Sequence, residues 1–252
     1  MKLLTAGCGI SQISFPHWPT WVKYPTLTHE LEHVNIGGPA SGNEFLAHNI
    51  IKNIKDIDCA IIMWTSYQKT DLYIESQNIA NEIKTYNTRN FLLNDKGLVV
   101  ENAPAWWPSS VSGDNRIKDW INENIYSSDF QIYKTLMCIS STQKALNYHK
   151  IPYYMFFGYD VPLDKAQDYG IHLNKFVTKE SLYDNYYNGH WKKYSTTQEY
   201  GLVPVAGWHW DFYLEYILPI LDESCKQKKI DIKIITESVK ELTEKLYKEG
   251  VS

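Results

Sequence analysis

The sequence predicts an α/β fold, a three-layer α/β/α sandwich built around a mainly parallel central sheet. Three observations predict it. Short, largely apolar runs at Lys2–Ala6, Cys59–Trp64 and Ile151–Phe157 read as strands, and the second is apolar at every position, the mark of a strand covered on both faces. Stretches with apolar residues at helical spacing lie between them. Strands that alternate with helices are joined by crossovers, and crossovers produce parallel sheets.

Taken in order, the first strand ends at Gly7-Cys8-Gly9, and a second short one, His33–Ile36, runs into Gly37-Gly38-Pro39. Ser41-Gly42-Asn43-Glu44 then reads as a capping box, with Ser41 capping the amide of Glu44. Phe45, Leu46, Ile50, Ile51 and Ile54 continue at helical spacing into the Cys59–Trp64 strand. Asn90–Val100 reads as a hairpin turning at Asp95-Lys96-Gly97, followed by an aromatic loop, Ala105-Trp106-Trp107-Pro108. So long a break between strand and helix is more often a functional insertion than a linker. The chain therefore reads as a single domain, 1–252, with an insertion at about 86–114 over the site. Asp129–Tyr148 forms a long helix, Ile151–Phe157 another buried strand, Asp211–Leu221 an amphipathic segment and Ile230–Lys248 a solvated final helix.

Composition narrows the function. The formal charge of -4 leaves no basic excess to neutralise phosphates, so no nucleic-acid partner is expected. No apolar run approaches the roughly 20 residues that span a bilayer, so no membrane is expected either. The apolar stretch at Met1–Gly7 is short and enters a Gly-rich turn, which fits a buried strand better than a signal peptide. Cys8, Cys59, Cys138 and Cys225 are widely spaced with no CxxC pair, which excludes a zinc ribbon or thioredoxin-like motif. Cys59 and Cys138 lie in apolar runs as small buried hydrophobes. The expectation is a soluble, cytoplasmic protein without a cofactor, its oligomeric state open.

Ligands in open α/β sheets bind beyond the carboxyl ends of the strands. Three Gly-rich or polar loops fall there: Gly7–Ser11, Gly37–Asn43 and Trp64–Tyr67. In sequence order, Ala6-Gly7-Cys8-Gly9-Ile10-Ser11, Asn35-Ile36-Gly37-Gly38-Pro39-Ala40-Ser41-Gly42-Asn43, Ile62-Met63-Trp64-Thr65-Ser66 and Gly207-Trp208-His209-Trp210-Asp211 resemble the four blocks of the SGNH/GDSL-type hydrolases. The resemblance spans roughly Lys2–Leu221 and implies the flavodoxin-like architecture of that family. It implies Ser11 as nucleophile and His209 as general base, with an oxyanion held by amides near Gly9 and Gly38 and by Asn43, Thr65 or Ser66. It also implies a small-molecule or glycan substrate, an ester such as an O-acyl group on a carbohydrate. Three positions depart from the family pattern. Gly9 stands where the Gly-x-Ser nucleophile is expected, Thr65 or Ser66 must replace an Asn, and Ala206 occupies the position of the acid three residues before His209. Asp160 or Asp164, after the Ile151–Phe157 strand, is the replacement acid that chain order offers.

Each of these residues also has a plainer reading. Ser11 suits a helix N-cap, Asp211 the N-cap of the last core helix, and Gly37-Gly38 a tight turn or a phosphate nest. His209 suits an aromatic-packed core position between Trp208 and Trp210, and Cys8 a buried thiol rather than a nucleophile. His29-Glu30-Leu31-Glu32-His33 matches HExxH literally. Pro25 and the strand near His33 leave little room for the helix this motif needs, so both His read as surface residues of a connecting helix and no metal is expected. Trp106, Trp107 and Trp208 are the aromatic faces expected to meet a ring-shaped ligand. Trp18, Trp21, Trp191 and Trp210, with Tyr183, Tyr186, Tyr187 and Tyr194, extend that aromatic set. The rival function, from a different class, is an SGNH-like fold that has lost catalysis and binds a glycan or a protein partner.

Overall fold

The computed structural model describes residues 1–11, 19–29, 31–86, 92–108, 127–159, 161–178, 181–182, 206–224 and 232–248. The chain opens with β1 (Lys2–Gly7), a 3-10 turn (Gly9–Ser11), α1 (Tyr24–Thr28), β2 (Glu32–Gly37), α2 (Asn43–Asn53) and β3 (Cys59–Trp64). Then come β4 (Asp71–Ile74), α3 (Gln77–Tyr86), β5 (Leu92–Leu93), β6 (Val99–Val100) and β7 (Ala105–Pro108). The rest comprises α4 (Ser128–Tyr148), β8 (Tyr153–Phe157), α5 (Ala206–Phe212), a π-helical turn (Tyr213–Ile217), α6 (Leu218–Ser224) and α7 (Ile232–Lys248).

β1, β2, β3 and β8 form an all-parallel sheet in the order β2-β1-β3-β8, so the expected α/β class holds. The strand pleat sends alternate side chains to opposite faces, and each face builds its own core. Leu3, Cys59, Ile61, Met63 and Phe156 point to one face, packed with Trp21, Val22 and Tyr24, with Trp208, Trp210 and Phe212 of α5, and with Val239 of α7. Leu4, Ala6, Ala60, Ile62, Trp64, Met155 and Phe157 point to the other, packed with Phe45, Leu46 and Ile50 of α2 and with Leu136, Ile139 and Leu146 of α4. Helices thus cover both faces, which is why β3 is apolar throughout. Among the described residues, no helix is long and apolar enough to cross a membrane.

A second, antiparallel sheet, β4-β7-β5-β6, occupies the region expected to be an insertion, and it begins earlier, at Asp71. The β5–β6 hairpin turns at Asn94–Leu98 with Gly97 at φ 73°, as the sequence predicts. The segment expected as an aromatic loop is instead β7, paired with β4 from Asp71↔Pro108 to Ile74↔Ala105. Alternation along β7 separates its two indoles. Trp106 joins the core against α2, whereas Trp107 packs with Ile74, Ala80, Leu92 and Ala105 in a small core under α3.

The expected capping box is also replaced. Gly42 is the N-cap of α2 and makes no side-chain cap, and the Ser41 hydroxyl donates instead toward the carbonyls of Gly7 (3.1 Å) and Gly38 (3.0 Å). Asp71 supplies the cap from outside the helix, accepting the amides of Gly42 (2.8 Å) and Phe45 (2.9 Å). At α4, by contrast, the cap is local: Ser127 accepts from the Phe130 amide at 3.2 Å.

Candidate active site at the carboxyl edge

Parallel register aligns the carboxyl ends of three strands, with Gly7 opposite Gly37 and Ala6 opposite Ile62. The chain leaves β1 for α1 on one face, while α2 and α4 lie on the other. That divergence falls between the ends of β1 and β3, the position where parallel sheets bind ligands. Ser11 sits there. It closes the 3-10 turn, its amide donating to Cys8 O at 2.7 Å, and it is fully buried. Its hydroxyl donates to Met63 Sδ at 3.5 Å, spanning from the end of β1 to the end of β3.

Glycine at positions 7 and 37 is what lets Ser11 come so close. A Cβ on Gly7 would lie 2.1 Å from Ser11 Oγ, and one on Gly37 would lie 2.2 Å from the Ser11 carbonyl oxygen. Gly9 is buried inside the turn. Gly38 donates its amide to Gly7 O at a long 3.4 Å, and its Cα side is covered by Gly97 of the hairpin. The β5–β6 hairpin therefore lies against the glycine loop at Gly38.

His209 is on the same face of the sheet as Ser11, because α5 packs into the core that holds Met63. It lies inside α5 rather than ahead of it, so Asp211 is a helical residue and not the expected N-cap. Tyr24 anchors the helix by donating its hydroxyl to Ala206 O at 2.9 Å and by meeting Trp210 edge-on at 4.8 Å. Burial pushes the His209 imidazole down to about 3, and neither ring nitrogen has a hydrogen-bond partner among the described residues. The Ser11–His209 hydrogen bond is thus not made in this arrangement. Asp164 is exposed and lines a small cavity of about 140 Å³ with Asp129, Tyr133 and Tyr169 beside α4, on the opposite face from α5. Asp160 lies outside the described residues, as do Trp18, Trp191, Tyr183, Tyr186, Tyr187, Tyr194 and Cys225.

At the end of β3, Asn43 is fully engaged. Its amide donates to Thr65 O and Thr135 Oγ1, both at 3.1 Å, and its carbonyl accepts from Thr65 N at 2.9 Å, clamping α2 and α4 to β3. The Thr65 hydroxyl is buried and has no partner. Ser66 is partly exposed and accepts from Gln68 N at 3.2 Å. Asp71 is the residue that sequence reasoning missed. Burial, and then the charge of Glu44, raise its pKa above the usual carboxylate range, against the pull of the two amides it accepts. Glu44 itself pairs with Lys134.

Trp208 is buried, its ring 5.1 Å from that of His209. Trp107 is equally buried, so neither offers a face to a ligand, while Trp106 borders an open cleft of about 620 Å³. The two His of the HExxH match are not on one helix face, and they are not surface residues of a helix. His33 is in β2, bonded to Thr5 Oγ1 at 2.7 Å, and burial and then Lys23 push it down to about 4. His29 is fully buried beyond α1, with Nδ1 2.8 Å from Thr28 Oγ1 and Nε2 3.5 Å from Asp222 Oδ1. Among the described residues, no three His, Cys, Asp or Glu side chains gather as a metal site. Cys8, Cys59 and Cys138 are free thiols, Cys59 fully buried as expected, Cys138 only half-buried on α4 and pushed up to about 12 by burial. No protein-family model, curated protein or solved structure matches the chain.

Proposed function

We propose that the chain is an SGNH-type hydrolase of flavodoxin-like architecture that cleaves an ester, an O-acyl group on a carbohydrate being the substrate class. The observation that carries this reading is His209: a neutral imidazole, fully buried, without a partner, on the same face of the sheet as Ser11. A buried polar ring with both nitrogens unsatisfied costs stability and calls for an explanation. Proton transfer from Ser11 supplies one.

In this reading Ser11 exchanges its Met63 thioether for the imidazole, and its oxygen attacks the ester carbonyl while His209 takes the proton. The tetrahedral oxyanion is held by amides near Gly9 and Gly38, with Thr65 or Ser66 alongside. Collapse returns the proton to the leaving alcohol, and water then frees the acyl group by the same route. Asn43 acts indirectly, by fixing Thr65. A cytoplasmic location accompanies the reading, since its free thiols suit a reducing compartment.

A second reading is a module that keeps this arrangement for binding a glycan or partner without reacting. The Ser11 hydroxyl engaged on Met63 and the alanine at position 206 favour it. A fluorophosphonate probe and nitrophenyl acetate decide between them. The hydrolase reading expects labelling at Ser11 and slow cleavage, because loss of the acid alone costs about 10⁴-fold in a related triad. Ser11→Ala and His209→Ala should each abolish both signals, and the double variant should be no worse than either. Wild-type protein that neither labels nor exceeds buffer leaves the binding module.

A further inference from the structure

The open cleft lies apart from Ser11, between the outer side of α2 and the second sheet, and its walls are lined by His48, Ile51, Lys52, Tyr73, Asp95 and Trp106. Three sources converge on it. α2 contributes His48, Ile51 and Lys52 at helical spacing, β4 and β7 contribute the paired Tyr73 and Trp106, and the hairpin turn contributes Asp95.

The aromatic wall is ordered by packing. Trp106 stands on Phe45 at 90°, their centroids 5.8 Å apart. The Tyr73 and His48 rings flank it, each 5.2 Å away and inclined at 61° and 59°. Tyr73 is 46% exposed and Ile51 39%, so this wall presents apolar surface to solvent. The polar edge is equally fixed. The Trp106 indole N–H donates to Asp95 Oδ1 at 3.3 Å, and Lys52 pairs with Oδ2. These two contacts hold the Asp95 carboxylate below its usual range, so it stays ionised.

We propose that this cleft binds the ring of a neutral sugar. The charges select for neutrality: a quaternary ammonium would compete with Lys52 for Asp95, and an anion would be repelled by Asp95 itself. A neutral pyranose presents an apolar face to the aromatic wall, while its hydroxyls donate to the carboxylate and accept from the ammonium. The volume of about 620 Å³ is in the range of small-ligand sites, which run from about 300 to 1,000 Å³. Walls held in place before binding lower the ordering cost. The site stands whether or not Ser11 reacts.

Isothermal titration of the whole chain with unacylated cellotetraose, mannotetraose, xylotetraose and chitotetraose tests this without any ester to cleave. At least one should bind saturably, with Kd of about 0.1–1 mM. Tyr73→Ala at an exposed position, and Asp95→Asn, which keeps an oxygen for the Trp106 indole at a half-buried one, should keep the wild-type melting curve and each weaken binding by about tenfold. The proposal is overturned if no sugar saturates below about 10 mM, if both variants bind as wild type does, or if choline binds where the sugars do not.

Discussion

Asp71, which caps α2 on one side of the parallel sheet, and His209, in α5 on the other, are both buried titratable side chains, and they are treated in opposite ways. Asp71 accepts two amides at the start of α2, so its burial serves the fold. Neither ring nitrogen of His209 has a hydrogen-bond partner among the described residues, so its burial is left uncompensated by hydrogen bonds. A buried polar group normally finds a partner, because leaving it unpaired costs about 1–3 kcal/mol. The difference separates a buried group with its hydrogen bonds made from one that carries the cost of making none.

The comparison breaks most readily at Asp71. Asp71→Ala leaves the Gly42 and Phe45 amides buried without acceptors and should lower unfolding free energy by about 3 kcal/mol or more, read from urea denaturation. A loss comparable to that of an exposed cap, under about 1 kcal/mol, would mean water reaches the amides and the cap is not a buried one.

pH sharpens the contrast. The folded pKa of His209, near 3, lies below its ordinary 6.5, so the unfolded chain binds the proton more readily between those values. Its contribution to stability is complete above pH 6.5 and is lost as pH falls, by about 1.4 kcal/mol per pH unit. Asp71 has the opposite sign: its pKa is raised, so it favours the folded state at low pH and loses that advantage as pH rises. His209→Leu should therefore flatten the acid side of a plot of urea midpoint against pH. The smaller total loss contributed by His33, pushed down only to about 4, remains. An unchanged acid limb would show that His209 gains a proton without unfolding the chain.

The smallest effect expected is at Ser41, which ties the loops after β1 and β2 together. Ser41→Ala should cost about 1 kcal/mol, since the Gly7 and Gly38 carbonyls each keep a backbone donor. A loss of several kcal/mol in the same urea titration would make this hydroxyl, rather than the glycines, the main support of the carboxyl edge at Ser11.

Much of the fold was legible from local pattern. β3 is recognisable because a strand covered on both faces must be apolar at every position, and α7 because its apolar period persists over many turns. The hairpin was legible because only glycine sits easily at the positive φ of position 97. The candidate site was legible only in outline. Ser11, Gly37 and Gly38 do meet at one edge, but Trp107 turned out to be core. Two adjacent indoles in a strand face opposite ways, and a reading that took them as a loop gave them one face.

Elements whose signal lies within a few residues, the runs, periods and turns, therefore follow from local chemistry. Most partners of the buried polar groups at the carboxyl edge follow only from packing. The capping box at Ser41–Glu44 was a valid local pattern, yet the helix took its cap from Asp71, 29 residues from Gly42 and 26 from Phe45. Ser41 turned to the Gly7 and Gly38 carbonyls instead, and Glu44 to Lys134, 90 residues away. Burial removes water from every candidate donor and acceptor at once, so the pairs that form are those the packed sheet brings within about 3 Å, whatever their separation along the chain.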